Sequence, residues 1–141
     1  MTLVDSSVLI GWIYADDALH GACVAALDAE IAERRSLALS AITWMEVLTG
    51  TGDDDTARTA AEQFIADAKA TIVDVDRATA EHAAALRRRH RRRDGSALSA
   101  ADALILATGA VGREIDRVLT ADARWRGAHV AGARVRIVRA R

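Results

Sequence analysis

"TLVDSSVLIGWIY", residues 2–14, divides into three consecutive pieces. Residues 2–5 form a short β-branched and apolar run that suits a buried strand, and the Ser6-Ser7 pair is able to cap a helix running through "VLIGWIY". A strand that passes straight into a helix is the first half of a βα unit. The pattern returns at 37–50, where "LALS" reads as a buried strand and "AITWMEVLTG" as a helix with a glycine stop. Between the two, "DDALHGACVAALDAEIAERR" (16–35) has acids at its start, arginines at its end and apolar residues at helical spacing, which predicts a helix matched to its own dipole.

The same alternation continues to the end of the chain. Residues 53–70 put Ala57, Ala60, Ala61, Phe64, Ile65 and Ala68 on one helical stripe behind an acidic first turn. "TIVDV" (71–75) reads as a strand, 77–93 as a helix ending at the Asp94-Gly95-Ser96 turn, and the stretch from Ser99 as a further helix. "RVLTAD" (117–122) is a strand with its turn, and "ARVRIV" (133–138) alternates like a final edge strand. Alternating β and α elements with apolar strands predict an α/β protein, with a central, mainly parallel sheet of four to five strands covered by helices on both faces.

Length and composition fit one such domain over residues 1–141. The single cysteine, Cys23, cannot close a disulfide within the chain, and no basic segment precedes the first apolar run, so a cytoplasmic location is expected. No apolar run approaches the roughly 18 residues of a membrane span. The net charge of −1 hides an uneven distribution, because six arginines lie in "RRRHRRR" (87–93) and leave about −7 on the rest.

Four acids stand apart, each alone among apolar or small neighbours: Asp5 in "TLVDSSVLI", Glu46 in "ITWMEVL", Asp102 in "SAADALILATG" and Asp122 closing "RVLTAD". An unpaired buried carboxylate costs several kcal/mol, so each calls for a proton, a partner or a cation. Asp5 and Asp122 fall at the carboxyl ends of predicted strands, where open parallel sheets place their ligand sites. Lys69 is the only lysine, and the four histidines have no metal-ligand spacing and no cysteine partners, which disfavours zinc. Oxygen ligands alone suit Mg²⁺ or Mn²⁺, while arginine remains open as a counter-charge. Each acid also has an ordinary reading. Asp5 fits a cap, Glu46 a helix surface, Asp122 a turn, and Ser99 with Asp102 a capping box. It is the recurrence at equivalent places in successive βα units that carries the signal.

These same stretches, "LVDSSVLI", "ITWMEVLTG", "SAADALILATG" and "VLTAD", make the chain resemble the PIN-domain nucleases, and most closely the VapC-like toxins of bacterial toxin-antitoxin pairs. The resemblance covers nearly the whole length and implies a three-layer α/β/α PIN-like fold. It implies that Asp5, Glu46, Asp102 and Asp122 gather around Mg²⁺ or Mn²⁺, with Asp5 and Asp102 as principal ligands and Ser6 and Thr120 supporting them. It further implies an RNA substrate cut at a phosphodiester bond, a VapB-like antitoxin that inserts an arginine into the acidic site, and a homodimer.

The arginine run lies outside the family's core pattern and has two readings. Arg91, Arg92 and Arg93 are candidate RNA contacts, yet seven helical residues make nearly two turns, so the six arginines surround the axis and also suit a solvated helix C-terminus. Two other functions stay open on sequence. One is an aspartyl phosphotransferase or phosphatase with Asp5 as nucleophile, for which Lys69 is badly placed; the other is a non-catalytic protein that binds RNA or a partner through its basic segment.

Overall fold

The computed structural model describes residues 1–90, 95–112, 114–125 and 132–140. The chain runs β1 (Thr2–Val4), α1 (Ser6–Ile13), α2 (His20–Ala32), β2 (Leu37–Ser40), α3 (Ala41–Thr51), α4 (Asp55–Ala68), β3 (Thr71–Val73), α5 (Arg77–Arg89), α6 (Ala100–Val111), β4 (Arg117–Thr120), a 3₁₀ turn (Ala123–Trp125) and β5 (Arg134–Ile137). The strands form one sheet in the order β3-β2-β1-β4-β5, and every neighbouring pair is parallel.

Strand alternation sends side chains to two separate cores. Val4, Leu37, Leu39 and Leu119 join Val8, Leu9, Leu27 and Phe64 beneath α1, α2 and α4. Leu3, Ala38 and Val118 join Ala83, Ile105, Leu106 and Trp125 beneath α5 and α6. A sheet buried on both faces is what near-continuous apolar strands require, and the result is the expected three-layer α/β/α arrangement. Because β1 is central, the chain leaves it first toward β2 and β3 and later returns on its other side as β4 and β5. The crevice above the carboxyl ends of β1 and β4 is therefore the topological switch point, the usual ligand position in open α/β sheets.

Several boundaries differ from the sequence expectation. The helix predicted over 16–35 starts only at His20, because the Asp17 carboxylate accepts the Leu19 N–H at 2.7 Å and holds a turn there. Gly50 lies inside α3, packed against Ile10, and the helix stops at Gly52, whose φ of 51° suits a residue without a Cβ. In the aspartate triplet at 53–55, Asp54 caps α4 by accepting the Ala57 N–H at 2.9 Å, and Asp55 sits in its first turn. Strand β3 is shorter and more exposed than "TIVDV" suggested, as befits the sheet's outer strand.

Candidate active site

The first acid is fixed by the passage from β1 into α1. Asp5 is the residue that turns the corner: its backbone is extended, its N–H bonds to the Leu119 carbonyl on β4, and its side chain is buried. The serines after it do not cap the helix as expected. Ser6 donates to Glu46 Oε2 at 2.6 Å, and Ser7 donates to Asp5 Oδ2 at 2.5 Å. Thr120, at the end of β4, donates to the same Asp5 oxygen at 2.8 Å. Ser7 also accepts the Ala121 N–H at 3.0 Å, so its hydroxyl stitches the end of β1 to the end of β4.

Electrostatically, Asp5 is an acid held by neutral groups. Burial pushes its carboxyl above the ordinary range, the Ser7 and Thr120 hydroxyls pull it part of the way back, and the Glu46 charge pushes it up again. Glu46 owes its place on α3 to β2, which that helix follows directly: Ser40 ends the strand and caps α3 by accepting the Ile42 N–H at 3.2 Å. Thr108 on α6 donates to Ser40 at 3.2 Å, which ties the helix of Asp102 to the start of the helix of Glu46.

Asp102 sits in the first turn of α6, where Ser99 caps by accepting its N–H at 3.0 Å. Further along, Gly109 lets α6 lie against β1 and β4; a Cβ there would come within 2.9 Å of Val118. With a rise of about 1.5 Å per residue, Asp102 lies roughly 10 Å up the helix from that crossing, on the carboxyl-edge side of the sheet. Asp122 is placed by Thr120, which accepts its N–H at 3.0 Å while donating to Asp5. Its carboxylate takes a bidentate salt bridge from Arg124, with contacts of 2.6–2.9 Å.

Asp5, Glu46 and Asp122 are thus joined through Ser6, Ser7 and Thr120, and Asp102 stands at the same edge on a neighbouring helix. Among the described residues, no group of three or more His, Cys, Asp or Glu side chains is arranged to hold a metal ion. Hydroxyls take an oxygen of Asp5 and of Glu46, and Arg124 takes both oxygens of Asp122. Ser7 was missed as a site residue because a Ser-Ser pair after a strand reads as a helix cap; its position two residues from Asp5 was the available signal. Cys23 is buried, and burial followed by the Asp17 charge pushes its thiol up to about 11, which removes it as a nucleophile.

Within the basic run, the Arg87 Nε donates to the Leu98 carbonyl at 3.0 Å and pins the entry to α6. Arg88 and Arg89 end α5. The candidate RNA contacts Arg91, Arg92 and Arg93 lie outside the described residues.

The PIN domain family profile matches residues 2–130. The chain belongs to the PIN-domain family. Among solved structures, this PIN domain is similar to Rickettsia felis VapBC2 bound to a DNA fragment from its promoter, with a TM-score of 0.74, 13% identity and 98% of each chain covered. A toxin-antitoxin complex from Klebsiella pneumoniae gives a TM-score of 0.69 at 25% identity, over 93% of this chain and 95% of that one. Mycobacterium tuberculosis VapC20, a sarcin-ricin loop cleaving toxin, gives 0.70 at 21% identity, over 95% of this PIN domain and 99% of its own chain. No curated protein matches in sequence. Among the described residues, no helix of the PIN domain is long and apolar enough to cross a membrane.

Proposed function

We propose that this PIN domain is a Mg²⁺- or Mn²⁺-dependent endoribonuclease that acts as the toxin of a toxin-antitoxin pair. The observation that carries the reading is Asp5: a buried carboxylate at the switch point, satisfied by hydroxyls and facing the like charge of Glu46. Such a pair is poorly stabilised by itself and would be well stabilised by a cation. The donor set is carboxylate and hydroxyl oxygen, which fits a hard divalent ion and not zinc. The fold shared with toxin-antitoxin structures, and with a toxin that cleaves the sarcin-ricin loop, supports the RNA substrate and the antitoxin partner.

When bound, such an ion supplies charge neutralisation at the scissile phosphate and a water acidic enough to attack it at neutral pH. Asp5 and Asp102 would be its principal ligands. Glu46 and Asp122 complete the acidic set, Ser6 orients Glu46, and Ser7 and Thr120 hold Asp5 in one rotamer. The chain offers no protein nucleophile in this scheme, so water is the attacking group. The acidic edge repels a polyanion unless a cation offsets it, which makes the metal necessary for binding RNA there as well as for cutting it. The protein acts in the cytoplasm, as a homodimer, and its antitoxin covers the acidic edge.

The test is cleavage of RNA by purified protein with and without Mg²⁺ or Mn²⁺, alongside Asp5→Ala and Asp102→Ala. Losing several kcal/mol of charge stabilisation should slow cleavage about a thousandfold in each variant. Undiminished metal-dependent cleavage by both would sink the assignment.

A further inference from the structure

On the outer strand β5, Arg134 and Arg136 are exposed and lie two residues apart on one face, a separation of about 6.6 Å. Arg134 pairs in register with Arg117 on β4, so like charges sit side by side. Glu30 answers Arg117 and Arg136, leaving Arg134 and, past the strand, Arg139, neither of which has a salt bridge among the described residues. A cavity of about 350 Å³ is lined by Glu33, Arg117, Arg134 and Arg136. A second, of about 880 Å³, has Arg136 and Arg139 on one wall and alanines of α2 on the other. Arg136 lines both, so the two adjoin at that side chain and are treated together as a groove along the sheet edge. The groove ends beside the acidic site, because the Val138 N–H, one residue before Arg139, bonds to the Thr120 carbonyl at 2.7 Å.

We propose that this groove is a path for the RNA backbone, with Arg134 and Arg139 taking phosphates on the way to the acidic edge. The inference rests on the RNA-cleaving reading above and adds to it the surface that holds the substrate. An edge built of carboxylates repels RNA, so the grip must come from cations placed outside it. Two surplus arginines, Arg134 on the edge strand and Arg139 just past it, five residues and up to about 16 Å apart, meet that need by taking phosphates more than one nucleotide apart. The facing wall of Ala22, Ala25 and Ala29 has neither aromatic faces nor hydrogen-bonding side chains, so the groove holds the backbone without reading bases.

The experiment measures binding of a labelled, mixed-sequence single-stranded RNA of about a dozen nucleotides by fluorescence anisotropy across a range of salt. Asp5→Asn protein keeps the RNA intact, and it is compared with the same protein carrying Arg134→Gln and Arg139→Gln. Thermal melting checks that the variants fold, and Arg136 is left in place because it holds Glu30. Losing two phosphate contacts should reduce the slope of log affinity against log salt by about 1.4, at about 0.7 for each. Arg58→Gln with Arg77→Gln, on α4 and α5, should leave the slope unchanged. An unchanged slope in the groove variant overturns the proposal, as does an equal drop in the α4 and α5 control, which would reveal a net-charge effect. Binding of a polyglutamate peptide that the groove variant abolishes, with the RNA slope intact, assigns the groove to an acidic polypeptide and also overturns it. A parallel cleavage assay on the unaltered protein separates the two readings. Cleavage with an unchanged slope removes only the groove, whereas neither cleavage nor RNA binding removes the nuclease reading and the groove with it.

Discussion

Two carboxylates are buried at opposite ends of the same sheet, and they are solved in opposite ways. Glu30, on α2, lies at the amino edge, where Thr2 donates to it at 2.6 Å and the guanidinium groups of Arg35, Arg117 and Arg136 stand 2.6–3.2 Å away. Burial by itself would raise its pKa, but the Thr2 and Arg117 hydrogen bonds and the Arg117 and Arg136 charges outweigh that and hold it below the usual range. Asp5, at the carboxyl edge, has hydroxyls on its oxygen and a like charge nearby, and burial holds its carboxyl above the usual range. The amino edge is therefore electrostatically complete within the chain. Among the described residues no cation pairs with Asp5, which is the expected condition of a metal-dependent site and an unfavourable one for a purely structural acid.

If the contrast is right, the two neutralising substitutions should move stability in opposite directions. Glu30→Gln removes the charge that three arginines share. Stripping one partner from a buried ion pair costs about 3 to 5 kcal/mol, but these arginines are partly exposed and can rehydrate, so a loss of about 2 kcal/mol is expected. For a chain of this size that corresponds to a fall in Tm of about 4 to 8 °C, measurable by calorimetry. Asp5→Asn relieves a buried charge while keeping an oxygen to accept from Ser7 and Thr120, so in metal-free buffer its Tm should equal or exceed that of the unaltered protein. Adding Mn²⁺ should raise the Tm of the unaltered protein and leave that of Asp5→Asn unmoved. A metal-free Asp5→Asn protein that melts well below the unaltered one would show that Asp5 is a structural acid, like Glu30, and would remove the contrast.

The two acids also give opposite signs with pH. Glu30, lowered on folding, contributes stability above its unfolded value of about 4.3, and that contribution is lost as pH falls through its folded value. Asp5, raised on folding, contributes stability below its unfolded value of about 3.9, and that contribution is lost as pH rises through its folded value. Comparing melting curves from pH 3 to pH 7, Glu30→Gln should flatten the acid loss of stability and Asp5→Asn should flatten the loss on the side of rising pH. The same slope in both variants would show that neither acid dominates.

The sequence showed one of these acids and concealed the other, for a physical reason. Asp5 stands out because its neighbours on both sides are apolar or small, and the βα alternation placed it at a strand end without further information. Glu30 sits in "DAEIAERR", which looks like a solvated helix end, yet it falls on the helical stripe of Cys23 and Leu27, which packs inward. Following the stripe would have found it, but its partners could not have been named, because Arg117 and Arg136 come from strands far along the chain. Strand order likewise lies outside local patterning: the alternation indicates a parallel sheet, and only tertiary packing puts β1 beside β4. Ser7 and Arg124 escaped for the same reason as Glu30, since what they do depends on which neighbours the fold supplies.

Arg124 offers the smallest and most selective probe of the carboxyl edge. Among the described residues it is that edge's counterpart to the arginines around Glu30, but the pair differs in kind: Arg124 is 61% exposed and lies two residues from Asp122, whereas the arginines of the amino edge are more buried and come from separate elements. An exposed pair is worth less than about 1 kcal/mol, so Arg124→Gln should leave the melting temperature nearly unchanged. Its effect should appear when Asp122 is asked to serve a cation, because the guanidinium then competes for the same oxygens. The Mn²⁺ concentration for half-maximal cleavage should fall in Arg124→Gln, by a factor no larger than about five, since that is what about 1 kcal/mol allows. A rise instead would mean that Arg124 orients Asp122 for the cation rather than competing with it, and the carboxyl edge would then have a positioning arginine of its own.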